Sequence, residues 1–353
     1  MPIAENFSLA QVNRTLTAED RRHFYRQMMR MRAFEIMAIQ HYQAGHMGGF
    51  LIAQIGQEAI PVAARSMMEP QDHSIGGLRG MGTALLAGMS MKDGMAELFG
   101  RATGCAKGKG GLFGFFAPEH HHWGGHGYAA TQTALAAGLA FGTKYRGIPG
   151  VVFCCLGDGS VNQGTFHESL NLAGLYGLPV IYLIENNRYA MGTSVARSSA
   201  MKGCLAERAA GYAIDWDVAD GNDLYELRAK LQPAIERARH EQRPSVIEIA
   251  TYRFEGFTIA DANKLKYRSK QEVEDRMLNH DPVKLWAEHL LQQKDADEDE
   301  LRGIRRDARA EAKEAAVFAK ASPYPTKAAI LEDVYWEVDH RTPAGSTGRH
   351  FFG

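Results

Sequence analysis

Three short apolar runs, Val151–Leu156, Pro179–Ile184 and Ser245–Ala250, constrain the fold of this chain more than any other feature. Each is too short for a buried helix, and each carries apolar side chains at both parities, as a strand covered on both faces requires. The intervening segments have helical spacing instead. Phe166, Leu170 and Ala173 share one face after the first run, and a helix is expected at 223–240 before the third. A further helix of small residues is expected over roughly 129–145. Parallel neighbours need a long crossover, which a helix supplies. The expectation is an α/β fold: a doubly wound, mostly parallel sheet with helices on both faces.

Ahead of these runs, Thr17–Asp20 has the form of a capping box. It opens a helix with Phe24, Met28, Met31 and Phe34 at helical spacing, which Gly45 ends. The glycine-rich stretch 45–127 should alternate short helical pieces with loops. Its Gly108–Gly111 cluster is no nucleotide-triphosphate loop, because no Lys-Ser/Thr follows it. Asp299, Glu300, Arg302, Arg305, Arg306 and Asp307 alternate in sign within 297–320, the pattern of a solvated helix face. The domain reading is a loose N-terminal arm at 1–15, a single α/β domain with C-terminal helices at 16–337, and a polar tail at 338–353 that frays or wraps a neighbour.

Composition narrows the function classes. Forty basic residues nearly cancel forty-one acidic ones, so no global field draws the chain to nucleic acid or to an anionic membrane. No apolar stretch approaches the ~20 residues of a membrane span, and the N-terminus has neither the basic start nor the apolar core of a signal peptide. The four cysteines show no CxxC spacing, and Cys154 and Cys155 lie within an apolar run, which points to a reducing compartment. The expectation is a cytoplasmic protein. A dinucleotide fold is excluded, since no GxGxxG follows a first strand.

The chemistry gathers in two motifs. Gly157-Asp158-Gly159 follows the first run, and Asn186-Asn187 closes the second. A Gly-Asp-Gly alone is a common turn. In a doubly wound sheet, however, both motifs reach the carboxyl edge, where ligands bind. Asp158 offers a carboxylate, Asn187 an amide oxygen and Tyr189 a backbone carbonyl. Such hard donors, completed by phosphate oxygens and water, suit Mg²⁺. Gly159 and Ser160 are expected to open a helix whose first amides face an anion. The pair of motifs reads as a diphosphate–Mg²⁺ site.

These residues resemble the thiamine-diphosphate signature. The wider stretches Gly157–Gly164 and Glu185–Ser194 are similar to the alpha subunits of 2-oxo acid dehydrogenase first components, the pyruvate type above all. So are Ile55–Ala59, Glu97–Gly111 and Gly124–Gly127, and the similarity runs over roughly residues 20–338. The resemblance implies the diphosphate-binding type of the thiamine-diphosphate fold, with Asp158, Asn187 and the Tyr189 carbonyl on the metal. Arg79 matches an arginine that grips the diphosphate, Gly159 and Ser160 match backbone donors to it, and Gly127 and Ala129 match positions against the aminopyrimidine. It also implies oxidative decarboxylation of a small 2-oxo acid, pyruvate, with acyl transfer to lipoyl groups. The glutamate that activates the cofactor belongs to a beta subunit in this family, so an α2β2 heterotetramer and a lipoyl acyltransferase are the implied partners.

Several family positions differ. Histidines of the pattern are replaced by Ile52, Met81 and Phe257, and a Ser-Met-His stretch reads Leu112-Phe113-Gly114. Three readings follow: a working subunit whose partner supplies proton transfers, a divergent paralogue for another 2-oxo acid or acyl acceptor, or a cofactor-binding subunit with little catalysis. Other polar residues have plainer readings. His120–His122 should diverge on a loop, and His167 should pack its helix. His126 adjoins the aminopyrimidine segment. Glu255 should turn away from the site or pair with Arg253. Thr258 stands where some relatives carry a phosphorylated serine.

Overall fold

The computed structural model describes residues 6–201 and 203–334. Its strands are β1 (His73–Gly76), β2 (His122–Gly125), β3 (Val152–Gly157), β4 (Val180–Asn186), β5 (Tyr189–Ala190), β6 (Thr193–Ser194), β7 (Asp215–Asp220) and β8 (Ser245–Ala250). The first half of the chain contributes helices α1 (Gln11–Arg14), α2 (Ala18–Gln43), α3 (Ala59–Arg65), α4 (Met81–Ala87), α5 (Met91–Leu98) and α6 (Thr131–Tyr145). The second half adds α7 (Gly164–Tyr176), α8 (Val195–Ser198), α9 (Leu224–Glu236), α10 (Lys270–Asn279), α11 (Pro282–Gln293) and α12 (Glu298–Ala321).

Six strands form one sheet in the order β2-β1-β3-β4-β8-β7, every neighbouring pair parallel. The three apolar runs are its centre, with Val152 opposite Val180 and Ile181 opposite Ser245. Their side chains alternate between two cores. Phe153, Ile181, Leu183, Ile247 and Ile249 face the layer of α2, α3, α5, α9, α11 and α12. Val152, Cys154, Tyr182, Ile184 and Val246 face α6 and α7. Helices therefore cover both faces, as the strand pattern required.

The capping box forms: Asp20 N–H donates to Thr17 Oγ1 (3.1 Å) and Thr17 N–H to Asp20 Oδ2 (2.8 Å). Phe24, Met28, Met31 and Phe34 of α2 are buried, and Gly45 follows the helix with φ +74°. On α12 the charges at 299, 300, 302, 306 and 307 are exposed, while Leu301, Ala308, Ala312 and Ala315 pack against α2 and α5.

Two expectations need correction. The described part of the N-terminal arm is docked rather than loose. Asn13 is buried, donates from Nδ2 to the Tyr225 carbonyl (2.8 Å) and accepts from Arg228 Nε (3.0 Å). Gly159 and Ser160 do not open the α-helix either. Ser160–Asn162 form a 3₁₀ turn, Gln163 is extended, and α7 begins at Gly164. Arg208 takes the Val161 carbonyl (2.5 Å) and Asn162 Oδ1 (2.9 Å), so an oxygen that a continuous helix would use is already engaged. The tail expected at 338–353 and residues 1–5 of the arm lie outside the described residues. No helix among the described residues is long and apolar enough to cross a membrane.

Candidate active site

The strand order reverses between β1 and β3, and a cleft of about 390 Å³ opens at their carboxyl ends. Its walls are the segments that leave the parallel strands: Gly76–Gly80 after β1, His126–Ala129 after β2, Leu156–Ser160 after β3, and Glu185 and Asn187 at the end of β4. Tyr189–Met191 and, beyond β8, Arg253 and Phe257 complete it. A larger open groove of about 770 Å³ between α2, α11 and α12 contains none of the motif residues.

Arg79, Gly127, Ala129, Asp158, Gly159, Ser160, Asn187 and Tyr189 thus border one cavity. The Asn pair divides its work because successive residues point opposite ways. Asn186 caps the turn through Oδ1 to Arg188 N–H (3.0 Å) and donates to Glu248 (2.6 Å), whereas Asn187 faces the cleft. Arg188 sits at φ +76°, so the chain reverses into the β5–β6 hairpin. Gly159 is required there: a Cβ would lie 2.5 Å from that of Ala190.

The electrostatics are those of a buried, incompletely paired cluster. Asp158 is 4% exposed, its Oδ2 has no hydrogen-bond partner, and burial pushes its carboxyl up to about 6. Burial raises Glu185 to about 7. Arg79 falls to about 10, through burial first and then through the neighbouring Arg253 charge. Its guanidinium is held by the Ala53 carbonyl.

Arg253 and Glu185 were not foreseen as site residues. Arg253 is 1% exposed and turns inward. Nη1 donates to the Tyr189 carbonyl (2.5 Å) and reaches Asn187 Oδ1 (3.4 Å), while Nη2 donates to the Met191 carbonyl (2.5 Å) and to Tyr267 (3.0 Å). The available signal was position: both residues leave the carboxyl end of a central strand. Glu255 does not pair with Arg253. It lies outside the cleft lining and pairs with Lys264 at 3.2 Å, because the guanidinium is committed to the 187–191 loop.

The altered family positions separate. Phe257 lines the cleft. Ile52 and Met81 are buried in the core on the α2 side and are not among the lining residues. Phe113 reaches Gly127, its ring 3.5 Å from a Cβ built there. The His120–His122 triplet diverges. His122 is buried on Ser74 (2.9 Å) and burial lowers it to about 4, while His121 lies against His73 (ring centroids 4.6 Å) and His120 against Gly88. His126 borders the cleft, and His167 packs through Tyr212 (2.9 Å). Thr258 is buried.

A cleft with this donor set at the reversal of a parallel sheet is a feature that related chains should share. The family model described as "Dehydrogenase E1 component" matches residues 26–328. The chain belongs to the dehydrogenase E1 component family. It is 41% identical over 316 residues to the pyruvate dehydrogenase E1 component subunit alpha of Rhizobium meliloti (strain 1021), covering 90% of each chain. The protein of the same name from Rickettsia felis is 39% identical over 319 residues, covering 90% of this chain and 97% of its own. That of Porphyra purpurea is 35% identical over 308 residues, with 85% and 88% covered. The motif stretches that suggested an E1 alpha subunit all lie within the matched span, and so do all the residues that line the cleft.

Proposed function

We propose that the chain is the alpha subunit of a pyruvate dehydrogenase first component, an oxidoreductase that holds thiamine diphosphate and Mg²⁺ in the cleft. One observation carries the reading. The buried Asp158 carboxylate has an unpartnered oxygen, and two guanidiniums, the half-buried Arg79 and the buried Arg253, border the same cavity. A buried carboxylate oxygen with no donor suits a cation, and two guanidiniums on one cavity suit a multiply charged anion. A diphosphate with its Mg²⁺ meets both demands.

In this reading Asp158, Asn187 Oδ1 and the Tyr189 carbonyl hold the metal, the oxygen donors that Mg²⁺ takes. Arg79 faces the diphosphate, Arg253 holds the 187–191 loop that carries two of the metal donors, and the Gly159 and Ser160 backbone donates to the diphosphate. Gly127 and Ala129 meet the aminopyrimidine half, so the sheet is the diphosphate-binding type of the thiamine-diphosphate fold. Bound thiamine diphosphate supplies the nucleophilic carbon and the electron sink for decarboxylation of a 2-oxo acid. Phe257 and Leu78 exclude water from the cavity, and the acyl product passes to the lipoyl group of an acyltransferase.

A beta subunit in a heterotetramer completes the site, in the cytoplasm. Tyr128, 84% exposed at the cleft, leads into α6 and α7, where Phe141, Tyr145, Leu175 and Tyr176 are exposed. Phe141 packs on Tyr145 and Tyr176 (ring centroids 6.3 and 6.0 Å), and an exposed apolar cluster of that kind suits a subunit contact. The paralogue reading loses two of its supports, because Ile52 and Met81 pack in the core.

Calorimetric titration with thiamine diphosphate and Mg²⁺ tests the assignment. Asp158→Ala should weaken binding by on the order of 100-fold, since removing an anionic ligand costs more than removing a group that only orients one. Unchanged affinity would sink it.

A further inference from the structure

The stretch Ile55–Ala59 contributes nothing to the cleft lining, yet it lies in contact with the residues that do. Ala53–Gln57 touches three of them. The Ala53 carbonyl accepts from Arg79, Gln54 Nε2 reaches Glu185 Oε1 at 3.4 Å, and Gln57 Oε1 accepts from Asn187 Nδ2 at 3.3 Å. Gln54 and Gln57 are buried, Gln57 completely. The segment is itself fastened to the helices behind it. Gln54 N–H donates to Glu35 of α2 (2.8 Å), and Gly56 N–H donates to Glu58 (3.0 Å), which is paired with Arg32 (2.6 Å). Gly56 has φ +96°, and a Cβ there would lie 2.7 Å from the Tyr252 carbonyl. The path is therefore fixed to the segment that carries Arg253.

Asn187 decides what this contact does. An asparagine amide offers an oxygen or a nitrogen, and only the oxygen is a metal donor. Two donors approach Asn187 Oδ1: Tyr189 N–H and Arg253 Nη1, each at 3.4 Å. Nδ2 is left facing Gln57, whose Oε1 accepts from it while its own Nε2 has no partner. Were the Asn187 amide reversed, two donors would meet an NH₂ group and the cleft would lose an oxygen.

We propose that Gln57 is a positioning residue for the metal, holding the Asn187 amide with its oxygen toward the cleft, on a buried Ala53–Gln57 segment that also seats Arg79. The proposal rests on the thiamine-diphosphate reading and names a residue outside the cofactor's reach.

The test uses the full-length chain co-purified with its partner subunit. The measurement is the Mg²⁺ concentration that half-saturates thiamine diphosphate binding, by calorimetry. Gln57→Met, which keeps the volume and removes the acceptor, should raise it by about tenfold. Gln57→Glu can only accept at that position and should restore it to near the wild-type value. In an Asn187→Asp background, where either end of the side chain is an oxygen, Gln57→Met should have no further effect. Gln57→Leu serves in the same comparisons if Gln57→Met does not fold. A Gln57→Met protein with the wild-type Mg²⁺ requirement overturns the proposal. So does a loss of equal size with Asp at 187, which would assign Gln57 to the fold alone. Asn187→Ala separates the two levels: no change there removes the metal reading itself, whereas a loss there with a silent Gln57→Met removes only the orienting role.

Discussion

Glu35 sits inside the protein with one carboxyl oxygen on the Gln54 amide and the other unpartnered. Burial pushes it up to about 8, and the neighbouring Glu58 charge adds to the rise. The ordinary glutamate value is 4.5, so between that pH and about 8 the native state holds a proton that the unfolded chain has released. Stability should therefore fall as pH rises through this window. Glu35→Gln keeps an acceptor for Gln54 and cannot ionise, so its unfolding midpoint relative to wild type should improve from pH 5 to pH 8. Parallel curves would show that Glu35 is already ionised in the native protein. Residues of this kind are hard to read from sequence, because their chemistry depends on where a side chain ends. Asp158 and Asn187 were legible since motif and strand end coincide. The sequence offers Arg253 only as a partner for Glu255, and nothing in it shows a guanidinium turning back onto the Tyr189 carbonyl, 64 residues earlier. Ile52 and Met81 were read as cleft residues by position, and packing on the α2 side placed them in the core.

At the scale of elements, the central strands β3, β4 and β8 were legible to within two residues, because burial on both faces leaves a continuous apolar run, whereas β1, β2, β5, β6 and β7 carry no such run. The loops were not. The Gly108–Gly111 cluster, which lacks the Lys-Ser/Thr of a nucleotide-triphosphate loop, wraps a side chain of the same protein. The Glu97 carboxylate of α5 accepts the N–H groups of Ala106, Gly108, Gly110 and Gly111 at 2.8–2.9 Å. Four backbone donors converge on one buried anion, an arrangement like that of phosphate-binding nests. Glu97→Ala would strand those donors, and the loss should amount to ~3 kcal/mol or more in urea unfolding. A change below ~1 kcal/mol would mean that water replaces the carboxylate. The 3₁₀ turn at Ser160 was missed for a related reason. The competitor for the Val161 carbonyl, Arg208, comes from a distant segment.

For the molecule as a whole, the cleft is assembled from one side. Arg79, Asp158, Glu185 and Arg253 lie at or just beyond the carboxyl ends of β1, β3, β4 and β8, and all four line the cavity proposed for a diphosphate and its metal. At the His126–Ala129 segment the groups are different. His126 is the ionisable side chain with a free ring nitrogen, and burial lowers its pKa, so near neutrality it stays uncharged. Tyr128 points into solvent. An aminopyrimidine held there would meet backbone and a neutral imidazole, with no carboxylic acid from this chain among the lining residues on that segment. In the proposed reading, the acid that activates the cofactor would come from another polypeptide, placed over the exposed edge that runs into α6 and α7. The chain alone should bind thiamine diphosphate and Mg²⁺ yet fail to decarboxylate pyruvate when an artificial electron acceptor is supplied, and adding the beta partner should switch turnover on. If the isolated chain turns over robustly in that assay, the acid lies within this polypeptide, and the one-sided cleft is a complete site.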